Sequence, residues 1–418
     1  MSRREADYQL PERETLLGLD IGTTKVAAVI AIRRPNVAIL GAASVPCAGL
    51  KKGAVVDMAE TTRAIREAVS KAQRMAGVEL APAWLGITGQ HVTCHNAHGE
   101  LSIARVNREI TWADVERVMG VAVRAASIPS DRQVIHAISR GFTVDDQTNV
   151  RNPAGLSANR LAVETHIVTA SRNLVTNVAR CAEQAGLEVA ELVAEPLATA
   201  DAVLTEEDED LGVLLIDVGG GTTDLALFLD GAVLFTGAIP AAGKNVTHDL
   251  AVALGVTHPQ AEQIKLTHGC ARADLVSEEE TVSLPEEDEE RTVSRRLIAE
   301  VIEARVRETF SLVARELSRV GPRWPPPGGA VLTGGGSLLP HIASVANDTL
   351  GCRIRLGLPR TASGPVELLQ SPALSTAVGL VYYAHRESQA RRADIKPAER
   401  IRPLLGRVVS WVRELFGS

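Results

Sequence analysis

Two short stretches of this chain join an aspartate to a turn rich in glycine and threonine. Residues 17–25 read Leu-Gly-Leu-Asp-Ile-Gly-Thr-Thr-Lys, and residues 216–224 read Ile-Asp-Val-Gly-Gly-Gly-Thr-Thr-Asp. Glycine lets a backbone approach an anion without a Cβ clash, and threonine adds hydroxyl donors beside exposed amides. Each stretch is therefore predicted to be a hairpin that forms half of a phosphate clamp.

The aspartates hold matching places in the two stretches. Asp20 and Asp217 each lie at the end of an apolar run that reads as a buried strand. A carboxylate in this position can hold a hydrated Mg²⁺ between the two turns. A single glycine-rich turn would carry little information because such hairpins are common, whereas two in register indicate a duplicated phosphate site.

A third glycine-rich loop follows a strand predicted at 330–333. It contains Gly334, Gly335, Gly336 and Ser337, and a helix with Pro340 in its first turn is predicted after it. Backbone amides and bare glycine faces would lie against a flat ligand or its phosphates, although a tight turn alone is the alternative. Residues 195–203 are predicted to form a short helix that begins at Glu195.

Composition limits the functional classes. Of the 418 residues, 45% are hydrophobic, which is enough for a large core and two or three compact units. A formal charge of −7 argues against general nucleic-acid binding, which requires a basic surface. The five scattered cysteines fit a reducing cytoplasm, and no apolar run reaches the roughly 18 residues of a membrane span. We expect a globular protein that does not cross a bilayer.

The order of strands and helices repeats along the chain. After the first hairpin, two further strands precede a helix from about Asp57 to Ala76. After the second hairpin, two further strands precede helices that start at Gly243 and Pro259. Duplicated halves of this kind predict an α/β protein with a cleft between them.

Three segments interrupt this repeat. Residues 85–163 mix short strands, a helix and turns, and we interpret them as an inserted subdomain. The acidic runs at 206–210 and 278–290 are interpreted as solvated loops. Residues 291–320 are predicted to form one long amphipathic helix.

Taken in order, the two hairpins, the Glu195 helix and the 333–337 loop resemble the ATPase core shared by actin, sugar kinases and DnaK-class chaperones. Within that superfamily, the inserted segment, the helix at 261–265, residues 370–375 and the C-terminal tail are similar to the FtsA family of bacterial cell-division proteins. The resemblance covers residues 16–416. It implies an α/β, actin-like ATPase fold, with two duplicated halves around a nucleotide cleft, a small inserted α+β subdomain called 1C and a C-terminal amphipathic helix.

The resemblance also implies subdomain boundaries. They are 1–84, 164–203 and 367–385 for subdomain 1A, 85–163 for 1C, 204–244 and 329–366 for 2A, 245–328 for 2B, 386–399 for a linker and 400–418 for a membrane-targeting helix.

The resemblance further implies ATP and Mg²⁺ as cofactors and assigns residues to them. Asp20 and Asp217 would anchor the hydrated Mg²⁺. Glu195 would orient the attacking water or support a nucleotide-dependent conformation, since the family hydrolyses ATP poorly; a simple helix-capping carboxylate is the alternative. The implied nucleotide-binding residues are Gly22, Thr23, Thr24, Lys25, Gly219, Gly220, Gly221, Thr222, Gly243 and Lys244 around the phosphates, Glu262 and Lys265 at the ribose and adenine, and Gly334, Gly335, Gly336 and Ser337 along the adenosine.

The C-terminal residues form a separate amphipathic pattern. From His385 to Ser418 there are eight Lys and Arg against four Asp and Glu, so anionic lipid would attract this segment. We predict an in-plane membrane helix, and docking on the chain itself or on a partner protein is the alternative. Its apolar face on a helical wheel includes Leu404, Leu405, Val408, Trp411, Val412, Leu415 and Phe416.

The function implied by the resemblance is that of a membrane adaptor with weak ATPase activity at most. Such a protein polymerises on the cytoplasmic face of the inner membrane at the division site, binds the C-terminal peptide of the tubulin-like protein FtsZ and helps to recruit later division proteins. Arg305 is the implied FtsZ contact, and a solvated helix arginine is the alternative. A pilus-assembly adaptor like PilM and a soluble metabolic kinase of the same fold are the competing hypotheses.

Overall fold

The computed structural model describes residues 15–33, 36–103, 109–284, 291–321, 324–360 and 370–393. Its strands are β1 (Thr15–Ile21), β2 (Lys25–Arg33), β3 (Val37–Pro46), β4 (Leu50–Lys51), β5 (Ala54–Val55), β6 (Ala83–Ile87), β7 (Thr93–Ser102), β8 (Arg132–Val144), β9 (Gln147–Val150), β10 (Arg160–Ser171), β11 (Val189–Ala194), β12 (Val213–Val218), β13 (Thr223–Leu229), β14 (Ala232–Ile239), β15 (Thr281–Leu284), β16 (Arg291–Ser294), β17 (Ala330–Thr333) and β18 (Ile354–Leu356). Its α-helices are α1 (Met58–Ala76), α2 (Trp112–Ala125), α3 (Arg172–Gln184), α4 (Glu195–Val203), α5 (Glu206–Leu211), α6 (Gly243–Leu254), α7 (His258–His268), α8 (Arg295–Leu317), α9 (Ile342–Leu350) and α10 (Ser375–Ala393).

Two five-stranded sheets with the same topology form the two halves. Their orders are β3-β2-β1-β6-β11 and β14-β13-β12-β17-β18. In each sheet the first three strands are antiparallel, and the last two join in parallel beside the hairpin strand. The duplication predicted from the sequence is confirmed.

The two hairpins close in the same way. The last paired residues are Ile21 with Val26 in the first hairpin and Val218 with Thr223 in the second. In both turns the first glycine amide donates to the carbonyl oxygen three residues later, at 2.9 Å. Strand β12 is buried along its whole length, as is β1 after its first residue, because helices cover both faces of each sheet.

The inserted unit is a separate antiparallel sheet of order β7-β10-β8-β9, with α2 packed on one face. It has its own core around Phe142, Met119 and Ile167. Thr111 is the N-cap of helix α2 and forms a capping box with Asp114.

Helices α4 and α10 pack against each other with unusually close backbones. An ideal Cβ on Gly379 of α10 would lie well under 3 Å from the carbonyl oxygen of Ala198 in α4, a separation that real Cβ atoms do not adopt. Glycine at 379 therefore sets how closely these two helices approach.

Three elements differ from the sequence prediction. The acidic segment at 206–210 is helical as α5, because Thr205 and Asp208 form a capping box and the acidic first turn suits a helix N-terminus. Helix α8 begins at Arg295 rather than 291, since residues 291–294 pair with β15. Pro340 precedes α9 instead of lying in its first turn.

Within the described ranges, no helix is both long enough and apolar enough to span a membrane.

Candidate functional site

The tips of the two glycine–threonine hairpins touch each other between the halves of the molecule. Ideal Cβ atoms on Gly220 and Gly221 would lie under 3 Å from the side chains of Thr24 and Thr23 respectively. The Lys244 ammonium also donates to the carbonyl oxygen of Thr23 at 2.8 Å. Only glycine at 220 and 221 permits this approach, so the structure brings both halves of the predicted clamp together.

Four carboxylates are buried beside these hairpin tips: Asp20, Glu195, Asp217 and Asp224. Burial raises the pKa of Asp20 to about 6, and the nearby Asp217 adds to this effect while Lys25 opposes it. Burial likewise raises the pKa of Glu195 well above its usual value, helped by repulsion from the other three carboxylates. The cluster is therefore costly to ionise without added positive charge.

Asp217 is held by hydroxyl groups from two helices. Thr199 of α4 and Thr376 of α10 each donate to Asp217 Oδ2 at 3.0 Å. Burial raises the pKa of Asp217, and these two hydrogen bonds lower it. Gly334 packs on the other carboxylate oxygen, where a Cβ at 334 would clash. Asp217 is thus fixed in orientation by three separate segments of the chain.

Asp224 belongs to the site although the sequence analysis did not assign it. Its Oδ1 accepts a hydrogen bond from Thr88 of the first half, and its Oδ2 accepts one from Thr222 at 3.2 Å. Burial raises its pKa to about 8. The signal that pointed to it is its position as the last residue of the second hairpin motif, on the buried strand β13.

Glu195 lies at the start of α4, as predicted, and projects into the carboxylate cluster. Gly86 of β6 provides the space for it, because a Cβ on Gly86 would come within 2.9 Å of Glu195 Cγ. Glu195 Oε1 is buried and has no hydrogen-bond partner among the described residues. An unpartnered buried oxygen is costly, and this favours a ligand-facing role over helix capping.

Lys25 begins β2 beside the cluster. Its ammonium donates to the carbonyl oxygen of Ala373, and its charge lowers the pKa of Asp20, Glu195 and Asp217. A Cβ on Gly335 would lie 3.7 Å from Ala373 Cβ, so the third glycine loop lies close to Lys25.

The predicted residues of α6 and α7 adjoin the second hairpin. The amides of Gly243 and Lys244 donate to the carbonyl oxygens of Gly219 and Gly220 at 3.2 and 2.8 Å. The Lys265 ammonium donates to Glu262 at 2.7 Å and to Thr247 at 3.0 Å, and these side chains link α7 to α6.

The third glycine loop lies at the base of the second hairpin. Gly334 has a φ of +84°, and a Cβ on Gly336 would clash with Val218. Ser337 is buried, and its hydroxyl donates to the carbonyl oxygen of Gly334 at 2.7 Å. The structure therefore places the predicted phosphate and metal residues beside the two hairpin tips. Glu262 and Lys265 adjoin them through α6, and the 334–337 loop adjoins them at the base of the second hairpin.

The donors in this cluster suit a hydrated divalent cation. Carboxylate oxygens are the ligands that Mg²⁺ prefers, and burial raises the pKa values of these groups, so added positive charge would favour their ionised form. Among the described residues, no group of three or more His, Cys, Asp or Glu side chains is arranged to ligate a metal directly. The fit to a hydrated Mg²⁺ therefore rests on the donor types of the cluster.

The remaining predicted sites are Arg305 and the C-terminal tail. Arg305 is on α8, where its guanidinium donates to both oxygens of Asp249, including a 3.0 Å bond to Oδ1, and also pairs with Glu308. The apolar face predicted for the tail, from Leu404 to Phe416, falls outside the described residues.

Comparison with known families decides the identity. The family model "Cell division protein FtsA" matches residues 214–379, and the model "SHS2 domain inserted in FTSA" matches residues 89–169. A cell division protein FtsA of Pseudomonas aeruginosa is 38% identical over 411 residues, which cover 96% of this chain and 98% of that protein. The chain belongs to the FtsA family. The FtsA of Escherichia coli K12 is 34% identical over 420 residues, covering 97% of this chain and 99% of its own length. As a member of the FtsA family, the chain has a role in cell division.

Solved structures support the fold of this FtsA-family chain. The PilM-PilN type IV pilus biogenesis complex matches with a TM-score of 0.66 at 21% identity, over 90% of this chain and 99% of that one. MreB5 of Spiroplasma citri bound to AMPPNP matches with a TM-score of 0.55 at 14% identity, over 93% of this chain and 100% of that one. At these identities the matches concern the fold alone, and they agree with the predicted actin-like architecture.

Proposed function

We propose that this FtsA-family chain binds ATP with Mg²⁺ in the cleft between its halves, assembles on the cytoplasmic face of the inner membrane and anchors FtsZ there. The observation that carries the nucleotide part is the meeting of two matched hairpins over four buried carboxylates. The structural neighbour MreB5 of Spiroplasma citri is bound to AMPPNP, which supports the same choice of ligand.

The phosphate chain of ATP would bind at the hairpin tips. The bare faces of Gly220 and Gly221 and the hydroxyls of Thr23 and Thr24 meet there. Because the tips are in contact, a phosphate bound between them would displace that contact and change the angle between the halves. Occupancy of the cleft would in this way be linked to the shape of the molecule.

The nucleoside would lie between α7 and the third glycine loop. Lys265 and Glu262 provide a donor and an acceptor for the ribose and adenine. Gly335, where a Cβ would have its nearest neighbour 3.7 Å away, would leave room along the adenosine, and Gly334 and Gly336 would hold the loop against Asp217 and Val218.

Mg²⁺, when bound, would supply positive charge that offsets the carboxylate cluster and the phosphates. Asp20 and Asp217 would hold it through water molecules, with Asp217 oriented by Thr199 and Thr376. Glu195 faces the same space with a free oxygen, so it would orient a water toward the terminal phosphate. We propose that the chain hydrolyses ATP weakly at most, and that nucleotide occupancy mainly controls the conformation of the molecule.

Membrane attachment would depend on the C-terminal segment. On a helical wheel its apolar residues from Leu404 to Phe416 lie on one side and Arg407, Ser410, Arg413 and Glu414 on the other, which is the pattern of an interfacial helix. One such helix is a modest, reversible anchor, and assembly into filaments would multiply the anchors and add avidity. The filaments would then recruit later division proteins at the division site.

FtsZ would contact the subdomain that contains α8. Arg305 remains the proposed contact for its C-terminal peptide, although Asp249 and Glu308 already occupy its guanidinium. A carboxylate of the peptide would therefore have to compete with Asp249, which favours a weak and reversible interaction.

Vesicle flotation tests the adaptor function. The full chain and a chain stopped at Glu399 are floated on anionic vesicles with ATP, and FtsZ is added in a second round. We expect the full chain alone to float and to carry FtsZ with it.

Other outcomes distinguish the alternatives. If neither chain floats, the tail is a docking helix, and a pilus-type adaptor or a soluble ATPase becomes the better interpretation. If the full chain floats but does not carry FtsZ with it, only the FtsZ-anchoring role is contradicted, and membrane binding still stands.

A further inference from the structure

The inserted sheet places a buried histidine against the strand that leads into Glu195. His136 of β8 is 1% exposed. Its Nε2 accepts a hydrogen bond of 2.9 Å from the amide of Ala194, the residue directly before Glu195. Ala194 ends β11 at the edge of the first sheet and is the N-cap of α4. His136 thus satisfies the backbone donor at the point where the chain turns to present Glu195.

The hydrogen bond from Ala194 to Nε2 determines the tautomer of His136. Since Nε2 accepts from Ala194, it carries no proton, and the proton of the neutral ring is on Nδ1. Nδ1 lies 3.3 Å from the hydroxyl oxygen of Tyr383 on α10, and this oxygen can accept a hydrogen bond from the Nδ1 proton. The two rings also pack together, with centroids 5.7 Å apart. His136 therefore joins the start of α4 to the middle of α10.

Helices α4 and α10 are the two helices that orient the carboxylates of the cleft. α4 carries Glu195 and Thr199, and α10 carries Thr376; both threonines donate to Asp217. The helices meet at Gly379, where their backbones are in contact. Because His136 joins α4 to α10, it can affect the orientation of Glu195 without contacting a ligand.

The sheet that carries His136 is itself anchored to the other half of the molecule. His166 of β10 lies 2.8 Å from Asn96 Oδ1 and 3.0 Å from the Thr236 hydroxyl of β14. Asn96 also donates to the carbonyl oxygen of Leu234 at 3.1 Å. Burial lowers the pKa of His166 to about 3, which keeps this contact neutral. These contacts fix the sheet that carries His136 relative to the second half of the molecule.

We propose that His136 is a positioning residue for Glu195, through which the inserted subdomain sets the orientation of this carboxylate toward the terminal phosphate. The inference rests on the proposed nucleotide function of the cleft. It gives the inserted subdomain a part in nucleotide discrimination in addition to any binding surface that it provides.

The test compares two replacements of His136 in the full chain. His136→Phe keeps a ring but removes the acceptor for Ala194, whereas His136→Gln keeps an acceptor oxygen. We measure equilibrium affinity for ATP and for ADP with Mg²⁺, single-turnover hydrolysis and hydrogen exchange of the Ala194 amide. We expect His136→Phe to reduce the ATP-over-ADP preference or the hydrolysis rate about tenfold, with ADP affinity within about twofold of wild type. His136→Gln should recover most of the loss.

A double-mutant cycle separates positioning from general support. In a Glu195→Gln background, His136→Phe should have no further effect on nucleotide preference, because it acts through Glu195. If His136→Phe does not fold, Tyr383→Phe removes the partner of Nδ1 instead and should give a smaller loss in the same direction.

Three results would overturn the inference. They are wild-type nucleotide behaviour in His136→Phe despite faster exchange at Ala194, equal loss in the Gln and Phe variants, and additive effects in the cycle. A wild-type chain that binds neither nucleotide would overturn the proposed function itself, and this inference with it.

Discussion

Thr24 of the first hairpin lies directly over Gly220 of the second. A Cβ on residue 220 would come under 3 Å from the Oγ1, Cγ2 and Cβ atoms of Thr24. The two halves of the molecule therefore meet where the Thr24 side chain occupies the space that a side chain at 220 would need. This contact lies beside the carboxylate cluster.

Gly220→Ala should destabilise the nucleotide-free chain. The added methyl group overlaps Thr24, and overpacking of this kind costs about 1–3 kcal/mol. Chemical denaturation without nucleotide measures the change. Thr24→Ala in the same chain removes two of the three clashing atoms and should restore part of the loss. Full stability of Gly220→Ala would mean that the hairpin tips do not touch in solution.

Gly379→Ala should be more damaging than Gly220→Ala. Its methyl group would meet backbone atoms of Ala198 and Thr199, which cannot rotate away as a side chain can. We expect a loss of about 3 kcal/mol or more in the free energy of unfolding. Gly335→Ala is the matched control, because its nearest neighbour would be 3.7 Å away. Equal stability of the two variants would contradict the close approach of α4 and α10.

Asp224 should make the stability of the nucleotide-free chain depend on pH. Its pKa is raised from 3.8 to about 8 by burial, so the folded state holds a proton that the unfolded state has lost over this range. Stability therefore falls as pH rises from about 4 to about 8. Each unit of this shift corresponds to about 1.4 kcal/mol.

Asp224→Asn should flatten this pH dependence by more than about 1.4 kcal/mol between pH 5 and pH 8. Denaturation curves at several pH values give the slope, which is unaffected by a constant change in stability. Asp146→Asn, at an exposed turn, is the control. An unchanged slope in Asp224→Asn would show that Asp224 ionises normally.

The fold was largely predictable because its signals are local and repeated. Asp57 before α1 and Glu195 at α4 each marked a helix start that the structure confirms. The two hairpin motifs predicted the duplication, since the same residues in the same order require the same turn.

The parts that were missed depend on long-range contacts. Nothing adjacent to Thr88 in the sequence indicates that it bonds Asp224, 136 residues away. The pairing of 291–294 with β15 shortened the predicted helix in the same way. For α5, the prediction followed the charge of the segment and did not consider the capping box that Thr205 and Asp208 form in the structure.

A single substitution in the C-terminal segment tests the proposed membrane anchor. Trp411→Glu would place a charge on the predicted apolar face of the tail, and we expect at least a tenfold loss of binding to anionic vesicles with nucleotide binding unchanged. Ser410→Glu adds the same charge on the polar face and is the matched control. Equal binding of both variants would contradict an interfacial helix.

The most direct test of the central claim is calorimetric titration of the full chain with ATP, with and without Mg²⁺. The Asp20→Asn/Asp217→Asn double variant is titrated beside it. We predict that Mg²⁺ strengthens ATP binding to the wild type by about tenfold or more, and that the double variant folds but loses most of this dependence. Absence of ATP binding by the wild type, or an equal response to Mg²⁺ in both chains, would contradict the account.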